Sequence, residues 1–183
     1  MIIRNGCATL RAIEKEDFDL LYYMVNAPEI EAMIGGWCLP VSRHEQEKWM
    51  EAFKNTDRNI KLMVELENGK TIGMVMLTGI DWKNRVALLE YKISAPVEYR
   101  IKGDIYDAAD GMLSYAFNEL GLNCVTATVM LENKFSLKLV KKLGFVQEGV
   151  MRQRIYKNGE FKDQAEFSLL RDEYYNLRNK DNA

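Results

Sequence analysis

The chain is poor in the residues that build redox and metal centres. Its three cysteines, Cys7, Cys38 and Cys124, are an odd number at wide spacing with no CxxC pair, so they indicate neither a disulfide framework nor a zinc site. Free thiols in a reducing cytoplasm and no bound metal are the expectation. His44 is the only histidine; it begins a helix, where a surface position is its ordinary role. No segment approaches the ~18 consecutive apolar residues of a membrane span. Met1–Leu10 carries Arg4 and Asn5 with no apolar run behind them, unlike a signal peptide. Charge of one sign is missing too. Twenty-five Lys and Arg stand against 27 Asp and Glu, which argues against a chain dominated by phosphate-backbone binding. A soluble cytoplasmic protein with no nucleic-acid or membrane partner follows as the expectation, with room for a homo-oligomer. There is no internal repeat, low-complexity block or linker.

What is present is apolar material. Of 183 residues, 48% are hydrophobic, enough for one substantial core, and the length falls short of two average domains. Residues 1–183 are therefore expected to form a single domain.

Periodicity then sets the elements. Ala8 to Ile13 alternates weakly, as a strand does, while Phe18, Leu21, Tyr22 and Val25 share one face of a helix ending near Asn26 and Pro28. Met33 to Pro40 contains Gly35 and Gly36 and reads as a loop. Ser42 with Glu45 is a capping-box signature for a helix to about Lys54. An antiparallel meander follows: Ile60 to Leu66, a turn at Asn68-Gly69, Thr71 to Ile80, and Val86 to Ser94. From Ile105 through Ala108, Ala109, Met112, Leu113, Ala116, Phe117 and Leu120 an unbroken apolar stripe predicts a helix closed by Gly121. Cys124 to Val129 is a short strand and Asn133 to Lys142 a basic helix ended by Gly144. Phe145 to Tyr156 and Phe161 to Leu170 flank Asn158-Gly159 as a hairpin, and the polar tail after Tyr175 is expected to fray. The succession implies an α+β fold with a mixed sheet.

The segment Tyr99-Arg100-Ile101-Lys102-Gly103-Asp104-Ile105 lies between a strand and this long helix. Amide groups at a helix N-terminus are unsatisfied and point outward, so they can grip a pyrophosphate whose charge the helix dipole favours. Gly103 permits close backbone approach, and Arg100 and Lys102 add positive charge. Downstream stand Glu132-Asn133-Lys134-Phe135-Ser136 and Leu139-Val140-Lys141-Lys142-Leu143-Gly144-Phe145. Together with the loop they resemble the E-N-x-x-S-x-x-L-x-x-K-L-G-F signature of GNAT-superfamily N-acetyltransferases. The ending, Glu148-Gly149-Val150-Met151-Arg152, Tyr156-Lys157-Asn158-Gly159 and Asp163, is similar to the RimJ/RimL-type and spermidine N-acetyltransferase branches. No GxGxxG follows a first strand, which disfavours a Rossmann site.

The resemblance implies a GNAT-like mixed, mostly antiparallel seven-stranded sheet flanked by helices, parted near Ser94 and Cys124 to admit acetyl-CoA as co-substrate. It implies transfer of the acetyl group to a primary amine: a small amine or polyamine, an amino sugar or a protein N-terminus. Ile93 and Ser94 would offer backbone groups to the pantetheine, and Arg100, Ile101, Lys102, Gly103, Asp104 and Ile105 would cradle the pyrophosphate. Asn133 would bind the pantetheine arm with Ser136 nearby, although Asn133 is equally a good helix cap. An alkyl amine near pKa 10 attacks a thioester only after losing a proton. Glu90, on the strand before the donor site, resembles a carboxylate of the spermidine branch and is the expected base; a solvent-facing strand glutamate is the alternative. Where many family members carry a tyrosine acid, this chain has Val140. Tyr156 or Tyr99 are substitutes by residue type, with a packing role as the alternative reading. Ile101 and Ile105 replace two small residues of the usual phosphate loop, with Ile105 expected to face the core; Asp104 adds negative charge there and is a candidate cap of the helix, competing for the N–H groups a pyrophosphate would use.

On the acceptor side, Glu31 and Glu45 would attract a cationic amine and Trp37 would stack on it. Surface charge and a half-buried indole explain the same residues. Arg152, Arg154 and Tyr156 alternate onto one face of their strand. Val140 and the altered loop leave a second class open, a degenerate non-catalytic GNAT-fold binding or sensor module.

Overall fold

The computed structural model describes residues 2–36, 39–94 and 101–181. Among these, eight strands make one sheet: β1 (Ile3–Asn5), β2 (Ala8–Arg11), β3 (Ile60–Leu66), β4 (Thr71–Asp81), β5 (Val86–Ile93), β6 (Cys124–Met130), β7 (Val146–Lys157) and β8 (Glu160–Leu170). Their spatial order is β1-β2-β3-β4-β5-β6-β8-β7. Every neighbouring pair is antiparallel except β5 and β6, which run parallel. The mixed, mostly antiparallel sheet is as expected, with eight strands in place of seven. The addition is β1, a three-residue strand turned back onto β2 through Gly6 at φ 53°. Three residues are too few to show a period of two.

The helices divide between the two faces. α1 (Phe18–Asn26), α2 (Pro28–Glu31) and α3 (Arg43–Ala52) lie on one side; α4 (Asp104–Ser114), α5 (Lys134–Lys142) and α6 (Arg171–Asp181) lie on the other. Strand alternation supplies both layers. Leu62, Val64, Val75 and Leu77 join α4 and α5 in the larger core, while Met63, Met74 and Met76 meet Leu21, Met24 and Ile30 in the smaller one. No helix among the described residues is long and apolar enough to cross a membrane.

Three local departures have physical causes. The long apolar stripe is not one regular helix: α4 gives way to a π turn over Tyr115–Glu119, where Leu120 N–H reaches Tyr115 O at 3.1 Å. Ala116 and Phe117 stay buried through it. The short helix α2, with Pro28 at its first turn, stands just before the segment read as a loop. The tail expected to fray is α6, because tertiary contacts hold it. Tyr174 packs on Phe117 with ring centroids 4.9 Å apart, and the Arg178 guanidinium lies 3.8 Å above the Tyr174 ring while pairing with Asp110 on α4. A polar sequence hides such anchors.

Candidate active site

The site begins where two strands separate. β5 and β6 are paired over only three positions, Val86 with Cys124, Ala87 with Val125 and Leu88 with Thr126. Beyond Leu88, β5 continues to Ile93 on the β4 side, and β6 continues to Met130 on the β8 side. Each strand thus keeps its outer partner and gives up the inner one. A cleft of about 840 Å³ opens between them, running from the α4–α5 face to the α2 face.

Hydrogen-bond alternation decides which backbone groups face this gap. Ser94 N–H donates to Ile72 O on β4 at 3.0 Å, so even-numbered residues of β5 turn their backbone toward β4. Arg85 O accepts from Asn123 N–H at 2.8 Å on the other side. The odd-numbered Leu89, Tyr91 and Ile93 therefore aim their N–H and C=O groups at the cleft. The Ile93 backbone faces the cleft, whereas the Ser94 amide is committed to β4. Opposite Ile93 is Gly73, at φ 150°, where a Cβ would strike the Lys92 carbonyl and lie 2.9 Å from Ile93 Cα. The close approach of β4 to β5 at the cleft wall requires glycine there.

On the α4–α5 face, Asn133 caps α5: its Oδ1 accepts from Ser136 N–H at 3.0 Å, and its Nδ2 donates to Met33 O at 3.3 Å. One amide hydrogen remains available toward the cleft, which both Asn133 and Ser136 line. The loop before α4 carries its own internal cap. Its left-handed residue is Gly103, at φ 94°, and Ile101 is not among the positive-φ residues. Asp104 is buried, and its carboxylate accepts from Ile105 N–H at 2.7 Å and Ile101 N–H at 3.3 Å. Asp104 thus occupies part of the amide cradle at the start of α4. Lys102 is exposed; Ile105 is buried and touches the cleft. Arg100 lies outside the described residues.

On the opposite face, Glu90 stands across from Met76 and accepts from Thr78 Oγ1 at 2.7 Å. It lines the cleft together with Glu29, Ile30, Met33 and Arg154. Glu29, exposed, takes a hydrogen bond from the Tyr23 hydroxyl, which holds its pKa below the usual carboxylate range and pushes that of Tyr23 up. Two acceptor residues expected from sequence, Glu31 and Glu45, are placed elsewhere. Glu31 is tied to the buried Lys157, which also donates to Glu31 O at 2.9 Å and Gly36 O at 2.7 Å. Glu45 closes the capping box of α3, accepting from Ser42 N–H at 2.8 Å. Neither lines the cleft, and Trp37 lies outside the described residues. Arg152, Arg154 and Tyr156 do not share one face. A register shift with Gln153 at φ 53° breaks the alternation, sending Arg154 to the cleft and Arg152 to a separate dip beside Asp163.

Two further residues of the lining, Glu29 and Tyr91, are not singled out by the sequence, although they fall within the segments expected to form the acceptor pocket and the thioester-oxygen site. Glu29 reaches the site only because α2 folds across the mouth, which no local pattern encodes. Tyr91 was within reach: it shares strand parity with Ile93.

Cys7 and Cys124 stand outside the cleft lining. Burial, with Asp107 adding a hydrogen bond and its charge, pushes the Cys7 thiol up to about 11, and burial likewise raises Cys124.

Comparison with known proteins agrees with this geometry. Residues 8–146 match the model of the acetyltransferase (GNAT) domain. The SPbeta prophage-derived uncharacterized N-acetyltransferase YokL of Bacillus subtilis is 30% identical over 166 residues, 91% of each chain. The Bacillus subtilis protein YdaF is 36% identical over a shorter stretch, 60% of this chain and 58% of that one. A solved spermidine N-acetyltransferase from Vibrio cholerae, in complex with CoA and spermine, superposes with a TM-score of 0.83 at 26% identity, covering 93% of this chain and 99% of that one. A sheet parted between β5 and β6, and a family match over most of its length, mean that the chain belongs to the GNAT acetyltransferase family and is an N-acetyltransferase.

Proposed function

We propose that the chain transfers the acetyl group of acetyl-CoA to a primary amine of a small, cationic, polyamine-like acceptor. The observation that carries this is the cleft through the sheet, which has amide-rich walls on its α4–α5 face and two carboxylates, Glu29 and Glu90, at its α2 mouth. The likeness to a spermidine N-acetyltransferase crystallised with CoA and spermine supports the same reading.

The pantetheine arm enters from the α4–α5 side, against the backbone groups of Tyr91 and Ile93 and the spare amide hydrogen of Asn133. The loop 101–105 and Lys102 take the diphosphate. The acceptor enters at the α2 mouth, where Glu29 and Glu90 favour a cation. Glu90 takes the proton from the ammonium so that the neutral amine attacks the thioester carbon. Negative charge building on the carbonyl oxygen is met by an N–H of the odd-numbered β5 residues, which are fixed before the substrate arrives. Collapse forms the amide and releases the thiolate.

Thiol release from acetyl-CoA with spermidine, an amino sugar and an unblocked peptide tests the acceptor class. Turnover with the polyamine and not with the neutral-backbone peptide is expected; a preference for the peptide overturns it.

A further inference from the structure

The departing thiolate needs a proton, and the α4–α5 side of the cleft has few groups able to give one. Of the polar side chains that line the cleft, Glu90, Lys92, Ser94 and Thr128 have the strand parity of the α2 face; Val140 is apolar, and the ionisable or hydroxylic side chains on the α4–α5 side are Tyr91 and Ser136. Tyr91 reaches this face because it shares parity with Leu89 and Ile93, which pack with the α4–α5 core. Its hydroxyl oxygen is buried and makes no formed hydrogen bond among the described residues. A buried hydroxyl without a partner is destabilising, a cost relieved when a ligand supplies an acceptor. The hydroxyl faces Ser136, one helical turn before Val140 on the same side of α5.

We infer that Tyr91 is the proton donor to the leaving sulfur, supplied from β5 across the cleft from α5. The inference rests on the acetyl-transfer reading above. The amine nitrogen bonds to the carbonyl carbon, the carbon–sulfur bond breaks with its electron pair going to sulfur, and the Tyr91 phenol gives its proton to that sulfur. The phenolate then regains a proton from solvent, while the proton lost by the amine leaves through Glu90. Burial raises the pKa of this phenol, the contact with Ser136 acting the other way, so it stays protonated and ready to donate at neutral pH. Ser136, with a far less acidic hydroxyl, serves to orient the phenol.

The test is steady-state acetyl transfer by the wild-type chain and by Tyr91→Phe, with acetyl-CoA affinity measured by calorimetry and folding by thermal melt. Wild-type turnover checks the acetyl-transfer reading by itself. For Tyr91→Phe the expected result is a kcat lower by on the order of 10²-fold with acetyl-CoA Kd within threefold of wild type. Site-specific 3,5-difluorotyrosine at position 91, a more acidic phenol, is expected to move the alkaline limb of kcat to lower pH. Combining Val140→Tyr with Tyr91→Phe, which returns a phenol from α5, is expected to restore part of the rate. An unchanged kcat in Tyr91→Phe, or an alkaline limb unmoved by the fluorinated residue, would overturn the assignment.

Discussion

Replacing Asp104 by asparagine is expected to tighten acetyl-CoA binding, the reverse of the usual effect of altering a buried acidic residue. The carboxylate, 4% exposed, already holds the amides of Ile105 at 2.7 Å and Ile101 at 3.3 Å at the start of α4. A diphosphate seated on this loop competes for the same donors. A phosphate drawn to those amides comes within about 5 Å of the carboxylate carbon. At that separation two unit negative charges repel by about 3 kcal/mol at an effective dielectric constant of 20, and by about 1 kcal/mol in bulk water. Because Gly103 and Lys102 leave the loop partly open to solvent, the lower part of the range applies, about 1–2 kcal/mol. That corresponds to a Kd roughly five- to thirtyfold tighter. Asparagine keeps an acceptor oxygen for the Ile105 amide, so the loss of capping stays below about 1 kcal/mol. Titration calorimetry with acetyl-CoA at low and high salt measures both sides: the gain shrinks as salt screens it. An unchanged or weaker Kd in Asp104→Asn refutes the reasoning, since the carboxylate would then be supporting the anion site.

Four further outcomes are expected. Glu90→Gln lowers kcat by on the order of 10²-fold and leaves acetyl-CoA binding intact, as steady-state kinetics with calorimetry will check; unchanged turnover and pH profile remove Glu90 as the base. Lys157→Met releases Glu31 and the Glu31 and Gly36 carbonyls, costing about 2–4 kcal/mol, so a lower melting temperature and a raised amine KM with little change in acetyl-CoA Kd are expected. Gly73→Ala drives a Cβ into the Lys92 carbonyl and displaces the end of β5, destabilising the fold by about 1–3 kcal/mol in a denaturant titration and weakening acetyl-CoA binding. Cys7, its thiol pushed up to about 11, is about one part in a thousand thiolate at pH 8, against about a quarter for an ordinary thiol. Alkylation followed by mass spectrometry should therefore be slow in the folded chain and accelerate about tenfold per pH unit toward 11.

The fold was legible wherever a period repeats. The meander β3–β5, the stripe from Ile105 and the Asn158-Gly159 hairpin all carry several turns or alternations of pattern, and their bounds agree with the structure to within a few residues. β1 and α2 are shorter than one informative window, and α6 owes its order to Phe117 and Asp110, distant in sequence. The site divides along the same line. Ile93, Asn133, Ser136 and Ile105 line one cleft because strand parity and helix phase, both local, put them there. The acceptor side resisted because charge alone does not tell a ligand-facing glutamate from one held by a partner. Glu31 is spent on Lys157, 126 positions away, and Glu45 on its own helix cap, while Glu29 reaches the mouth through the placement of α2. Asp104 illustrates the reverse case: its role at the N–H groups of α4 follows from its position one residue after Gly103.

The most direct measurement is thiol release from acetyl-CoA in the presence of spermidine, paired with mass spectrometry of the amine. Release that saturates with the amine and a product one acetyl group heavier are expected, with both signals reduced when Glu29 and Glu90 are changed to glutamine. Binding of acetyl-CoA with no thiol release above the amine-free rate, for spermidine, amino sugars and peptide N-termini alike, would contradict it and identify the chain as a binding module.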